Sequence, residues 1–211
     1  MKKIVSLLMV LVFLPLVACA DRYQEGKHYE IVSEQVTSKP EVREYFSFYC
    51  PHCMRFEPLM HDIKKELPDG TTFVKNHVDF MRGASTKVQS LLTKAMIIGE
   101  QLNMGDKLNG AIFNYIHRQR AVFTSEKDIR NVFVLNGVDG EQFDKLIKSF
   151  AINSKQKQLK KQQDILSKAG KLNSVPTTVV NGKYKVLTEH LNRDDFEGDY
   201  RKLVQHLLTL K

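Results

Sequence analysis

From Val42 to Phe48 the chain reads VREYFSF, an aromatic-rich run bounded by Pro40 upstream, and this composition predicts a buried strand. Alternate residues of a strand share a face, so Glu44 lies with Val42, Phe46 and Phe48 and directs a carboxyl group into apolar surroundings. Past Cys50 the period changes: Phe56, Leu59, Met60, Ile63 and Leu67 recur at helical spacing until Pro68-Asp69-Gly70 stops them. Pro51 suits the first turn of this helix, while Pro58 falls inside it and is expected to bend it, because proline cannot donate a backbone hydrogen bond. TTFVKNHVDF, Thr71 to Phe80, predicts a second strand.

The middle third has another character. From Ala84 to about Lys168 helical periodicity is nearly continuous, broken at Gly105, at Arg120 to Thr124 and at Asn136 to Gly140, which predicts a block of four or five helices. Ser125 followed by Asp128 makes a capping-box-like start for EKDIRNVFVL. Sheet signals return at VPTTVV, from Val175, and Asn181-Gly182 then predicts a two-residue hairpin into KYKVL. A last amphipathic helix carries Phe196, Tyr200, Leu203, Val204, Leu207 and Leu208, with Asn192 as its expected start. The predicted order is strand, helix, strand, helical block, hairpin, helix, without internal repeats.

The first 20 residues, MKKIVSLLMVLVFLPLVACA, place two lysines before an apolar run and then small residues, the pattern of a secretory signal peptide over residues 1–20. The run is short for a permanent membrane helix. Ala18-Cys19-Ala20 fits ordinary cleavage, which removes Cys19. Leu16-Val17-Ala18-Cys19 also resembles a bacterial lipobox, which would make Cys19 a lipid anchor; export as a soluble protein is the preferred expectation. After cleavage Cys50 and Cys53 remain of the three cysteines, in a chain long enough to bury a core without a disulfide. The net charge of +8, two of it from Lys2 and Lys3, is spread along the chain among 24 acids. Export argues against nucleic acid as a partner, and the lysines from Lys155 to Lys161 read as the solvated face of a helix.

Two cysteines separated by two residues, where a strand turns into a helix, admit three readings. A structural zinc site needs four soft ligands, and the seven histidines are scattered, so metal binding is disfavoured. A structural staple closing so small a loop gains little chain entropy. Redox exchange remains. The thiolate is its nucleophile, and an ordinary cysteine with a pKa of about 8.5 is only about 3% ionised at neutral pH. At the start of a helix Cys50 meets unpaired N–H groups and the positive end of the helix dipole, and His52 adds a donor or a charge. Stabilising the Cys50 thiolate stabilises the dithiol over the disulfide, so the pair is expected to give its disulfide away. Cys53, one turn on, is expected to be more buried and to resolve; Glu44 is the candidate to move its proton, with Lys75 of the second strand beside it, although a carboxylate merely satisfied by a lysine is the alternative. Pro176, which cannot donate to a ladder, must start a strand or lie at an edge.

FSFYCPHC, VKNHVDFM and SVPTTVVNGKY, in this order around a helical block, resemble the DsbA family of bacterial periplasmic thiol:disulfide oxidoreductases over essentially all the chain after the leader. The resemblance implies an α/β thioredoxin fold, residues 21–82 and 151–211, interrupted by an all-helical domain, residues 83–150, with a long helix through Lys155 to Ala169 leading back. It implies Cys50 as the attacking and donating cysteine within Cys50-Pro51-His52-Cys53, and Cys53 as its partner. Val175-Pro176 becomes a cis-proline loop that pairs its backbone with substrate. Glu44 becomes the buried acid and Lys75 its lysine. It further implies a periplasmic monomer without cofactor or metal beyond the disulfide. Unfolded exported polypeptides would bind in an apolar groove, and an inner-membrane, quinone-linked reoxidant like DsbB would restore the disulfide. Lipid anchoring through Cys19 would be a departure. Two competing functions are a reductase or isomerase of the same fold, and a chaperone-like peptide-binding module in which the cysteines do nothing.

Overall fold

The computed structural model describes residues 22–210, so the expected leader, residues 1–20, and Cys19 lie outside the described residues. One five-stranded sheet organises the chain, with strands in the order β1-β5-β4-β2-β3. A short β1, Tyr29–Ile31, has no counterpart among the predicted elements and pairs antiparallel with β5 at the sheet edge. The apolar run becomes β2, Glu41–Phe46, two residues shorter at its end than its composition predicts, because Ser47 and Tyr49 turn the chain toward Cys50. The helix α1 follows over Pro51–Glu66, and β3, Thr72–His77, returns parallel to β2. This parallel register sets Glu44 opposite Lys75 and Phe46 opposite His77.

Five α-helices and one π-helical turn fill the middle third: α2 Thr86–Gln101, α3 Gly105–Phe113, the π turn Asn114–Arg118, α4 Glu126–Leu135, α5 Gly140–Lys148 and α6 Phe150–Lys168. The three expected breaks all separate helices, and a fourth falls at Ser149. There the Ser149 hydroxyl accepts from the Ile152 amide and caps α6, so a single serine divides what periodicity alone joins. The Asp128 carboxylate accepts from the Ser125 and Thr124 amides, the reciprocal cap expected at α4.

β4, Thr177–Val180, lies between β2 and β5, Tyr184–Val186, antiparallel to both. Asn181 and Gly182 both take positive φ (52° and 66°), as that dipeptide predicts, and Lys183 N–H donates to the Val180 carbonyl. The register pairs Val180 with Tyr184, however, so the connection holds three residues and not two. The last helix, α7, spans Phe196–Thr209. Its cap is Asp195, whose carboxylate accepts from Gly198 N–H; Asn192 instead accepts from Asp194 N–H in the preceding loop.

Helices cover both sheet faces. Val42, Val180 and Tyr184 pack with Leu59, Met60 and Ile63 of α1 and with Tyr200, Leu203 and Leu207 of α7, while Tyr45 and Val179 pack against Leu166 of α6. A third cluster runs from Phe46 and Phe48 through Cys50 and Cys53 into the inserted helices, where Leu92, Phe113, Phe133 and Phe143 are fully buried. The cysteines therefore sit where sheet and helical block share a core.

Candidate active site around Cys50 and Cys53

Cys50 is the N-cap of α1, with extended backbone (φ −100°, ψ 111°), and Pro51 occupies the first turn, where a missing N–H costs nothing. The Cys50 Sγ accepts from the Cys53 N–H at 3.1 Å, as a cap oxygen would, and its thiol faces the Val175 carbonyl at 3.5 Å. Both cysteines are buried and unbonded to each other, Cys50 at 3% exposure and Cys53 at 0%. Cys50 is drawn down from its ordinary 9.0 to about 7. The largest cause is the hydrogen bond from the Cys53 thiol. Burial opposes it, and the backbone N–H groups of Cys53 and His52 and the charge of Arg55 add to it. Cys53 moves the other way, pushed far up by burial first, then by its bond to Cys50, with the charge of Glu44 contributing. The two thiols thus differ in the direction that separates a leaving group from a resolving thiol.

Behind the pair, Glu44 is fully buried in β2. Its Oε2 accepts from Lys75 Nζ at 2.8 Å, while its Oε1 is buried with no hydrogen-bond partner among the described residues. Lys75 also donates to Glu57 Oε1 at 2.5 Å. Burial works to lower the Lys75 pKa, yet Glu44 and Glu57 override it and hold the ammonium well above its usual range. Glu57 is raised by burial first, against the pull of Lys75. Sequence reasoning missed this second acid. Its signal was present: Cys53 and Glu57 are four residues apart on α1, hence on one face.

The Val175-Pro176 peptide is cis and leads into β4 beside Cys50. With His52, Arg55, Phe56, Leu187, Phe196 and Tyr200, this loop lines a cleft of about 600 Å3. The expected apolar groove is therefore partly charged, because Arg55, Lys185, Glu189 and Glu197 also line it. From the inserted helices, His117 Nε2 lies 2.8 Å from the Phe48 carbonyl and braces the turn that leads to Cys50, a contact without local sequence signal across 69 positions. Among the described residues no group of three or more His, Cys, Asp or Glu side chains is placed to hold a metal, and no helix is long and apolar enough to cross a membrane.

Residues 41–201 match the family described as DSBA-like thioredoxin domain. The thiol:disulfide interchange protein DsbA of Pectobacterium carotovorum subsp. carotovorum is 36% identical over 200 residues, covering 92% of each chain. The crystal structure of the disulfide oxidoreductase DsbA from Proteus mirabilis superposes with a TM-score of 0.78 at 30% identity, covering 89% of this chain and 98% of that one. A second Proteus mirabilis DsbA structure, TM-score 0.76 at 30% identity over 88% of this chain and 98% of that one, holds the non-covalently bound peptide PWATCDS. By family match, by identity over nearly the whole length and by fold, the chain belongs to the DsbA family of thiol:disulfide oxidoreductases of oxidative folding, with a thioredoxin fold interrupted by inserted helices.

Proposed function

We propose that Cys50 and Cys53 carry the exchange and that Cys50 is the sulfur that meets substrate. The observation that carries this reading is the pair of opposed shifts on two thiols one helical turn apart, Cys50 down to about 7 and Cys53 far up. A substrate thiolate attacks Cys50 Sγ of the disulfide form, and the Cys50–Cys53 bond breaks with its electron pair going to Cys53. Cys53 then takes a proton, since it is not stable as an anion. The second substrate thiolate attacks the substrate sulfur of the mixed disulfide and expels Cys50, a good leaving group because its thiolate is stabilised. Two electrons pass from the substrate dithiol to the pair.

Glu44 is the group we assign to supply and withdraw the Cys53 proton, supported by its burial and its unpartnered Oε1, with Lys75 bonding its other oxygen and Glu57. His52 contributes a backbone N–H to the sulfur, and Pro51 keeps the helix start open. Val175 and Pro176 present backbone to an extended substrate laid in the cleft, as the peptide bound to the Proteus mirabilis relative supports. The substrates we assign are unfolded exported polypeptides. Residues 1–20 act as the leader and place the protein in the periplasm as a monomer, and an inner-membrane, quinone-linked protein like DsbB reoxidises it. The domain division we assign is 21–82 with 151–211 around 83–150, supported by α2 to α5 falling within 83–150 while all five strands of the described residues lie outside it.

Replacing Cys50 by serine tests the assignment. The expected result is complete loss of oxidase activity on a reduced, unfolded protein, with the fold intact. Disulfide formation in exported proteins that survives this change in the cell would favour a peptide-binding module instead.

A further inference from the structure

A cation outside the Cys-Pro-His-Cys motif stands over the active-site helix. Arg55 is exposed on α1, three residues after His52, the spacing at which helical side chains meet, and its Nη2 lies 2.8 Å from His52 Nδ1. A guanidinium has five donors, no acceptor and a charge it does not lose. Across this contact Nδ1 must therefore be the acceptor, which leaves the proton of the neutral ring on Nε2. A ring protonated at Nδ1 would turn its own donor toward a cation and break the bond.

We propose that Arg55 is a positioning residue that fixes His52 in its Nε2–H form and itself supplies a permanent positive charge near the start of α1, the helix that Cys50 caps. The proposal rests on the reading of Cys50 as the exchanging thiolate and deepens it. Arg55 is the one charged side chain among the causes that draw Cys50 down. Lys185 of β5, Glu189 beyond it and Glu197 of α7 are the other charged groups that line the same cleft. The consequence concerns pH: a histidine gains and loses its charge near neutrality, whereas a guanidinium keeps it throughout. Held this way, the stabilisation of the thiolate does not fade as the solution passes through the histidine range.

Nitrogen-edited NMR of the imidazole rings at mildly alkaline pH, together with ultraviolet titration of the Cys50 thiolate, tests this on the whole protein. In the native protein His52 is expected to carry its proton on Nε2. Arg55→Leu is expected to give a mixture of tautomers and to raise the Cys50 midpoint by about 0.2 to 0.7 pH units, the range of an exposed charge pair. Arg55→Lys is expected to restore most of the midpoint. Because Arg55 is exposed and the disulfide form has no Cys50 thiol to titrate, thermal unfolding of the disulfide form of both variants should match that of the native protein. Either an unmoved midpoint or an unmoved tautomer in Arg55→Leu overturns the proposal. An ordinary alkaline midpoint in the native protein is a different result, since that defeats the assignment of Cys50 itself.

Discussion

The sulfur at the N-cap of α1 is pulled toward ionisation by donors and away from it by burial. A helix dipole at such a position contributes about 0.3 to 1 kcal/mol, whereas a hydrogen bond to a charged group contributes about 1.5 to 3. The direct donors from Cys53 and His52 therefore outweigh the dipole, and Cys50 reaches about 7, where about half of it is thiolate at neutral pH. Behind it, buried Lys75 is shared by the fully buried Glu44 and the half-buried Glu57, two acids on one cation. Removing the shared cation leaves two carboxylates without it, so Lys75→Met should cost about 3 to 5 kcal/mol at neutral pH by denaturant unfolding. That cost should shrink in acid as Glu57, already raised by burial, takes a proton; a cost that does not depend on pH would mean the cluster is not charged as described. Glu44→Gln keeps the shape and removes the proton carrier. Its expected effect is about hundred-fold slower exchange, the low end of what a positioned acid or base contributes, with the Cys50 midpoint nearly unmoved. Stopped-flow measurement of substrate oxidation checks it, and an unchanged rate would leave Glu44 only a structural role.

At the scale of elements, what was legible was what local pattern controls. The aromatic run of β2, the proline start of α1, the capping box of α4 and the positive-φ pair Asn181-Gly182 all formed where residue type demanded. Less legible was whatever depends on neighbours. β1 has only three residues and owes its existence to pairing with β5, and the hairpin register is set by β2 on the far side of β4. Ser149 and Asp195 act as caps because of where the chain turns, not because of periodicity. The site divided the same way: Cys50, Cys53, Glu44 and Lys75 follow from motif and strand parity, whereas Glu57, Arg55 and His117 join it through helix faces and a long-range contact. Gly182 tests the hairpin. Its φ of +66° disfavours a side chain, and a Cβ there would come 2.9 Å from Thr37 Cγ2. Gly182→Val should therefore lower stability by about 1 to 3 kcal/mol in urea unfolding, and a neutral result would mean that the turn adapts freely.

For the whole molecule, the redox state changes stability through one group. In the dithiol protein Cys50 titrates at about 7 when folded and at 9.0 ordinarily, a depressed value. Its stabilisation is therefore fully present above about pH 9 and lost as pH falls through about 7. Cys53, pushed far up, stays a neutral thiol across that window. The disulfide form has no Cys50 thiol to titrate, so only the dithiol form gains. A protein that is more stable with its disulfide open gives that disulfide to others. Thermal unfolding of both redox forms at about pH 6 and about pH 8.5 tests this most directly. The melting temperature of the dithiol form, relative to the disulfide form, should rise by a few degrees between the two conditions and leave the dithiol form the more stable at the higher pH. A difference that stays flat, or a disulfide form that melts higher at both, would contradict the account.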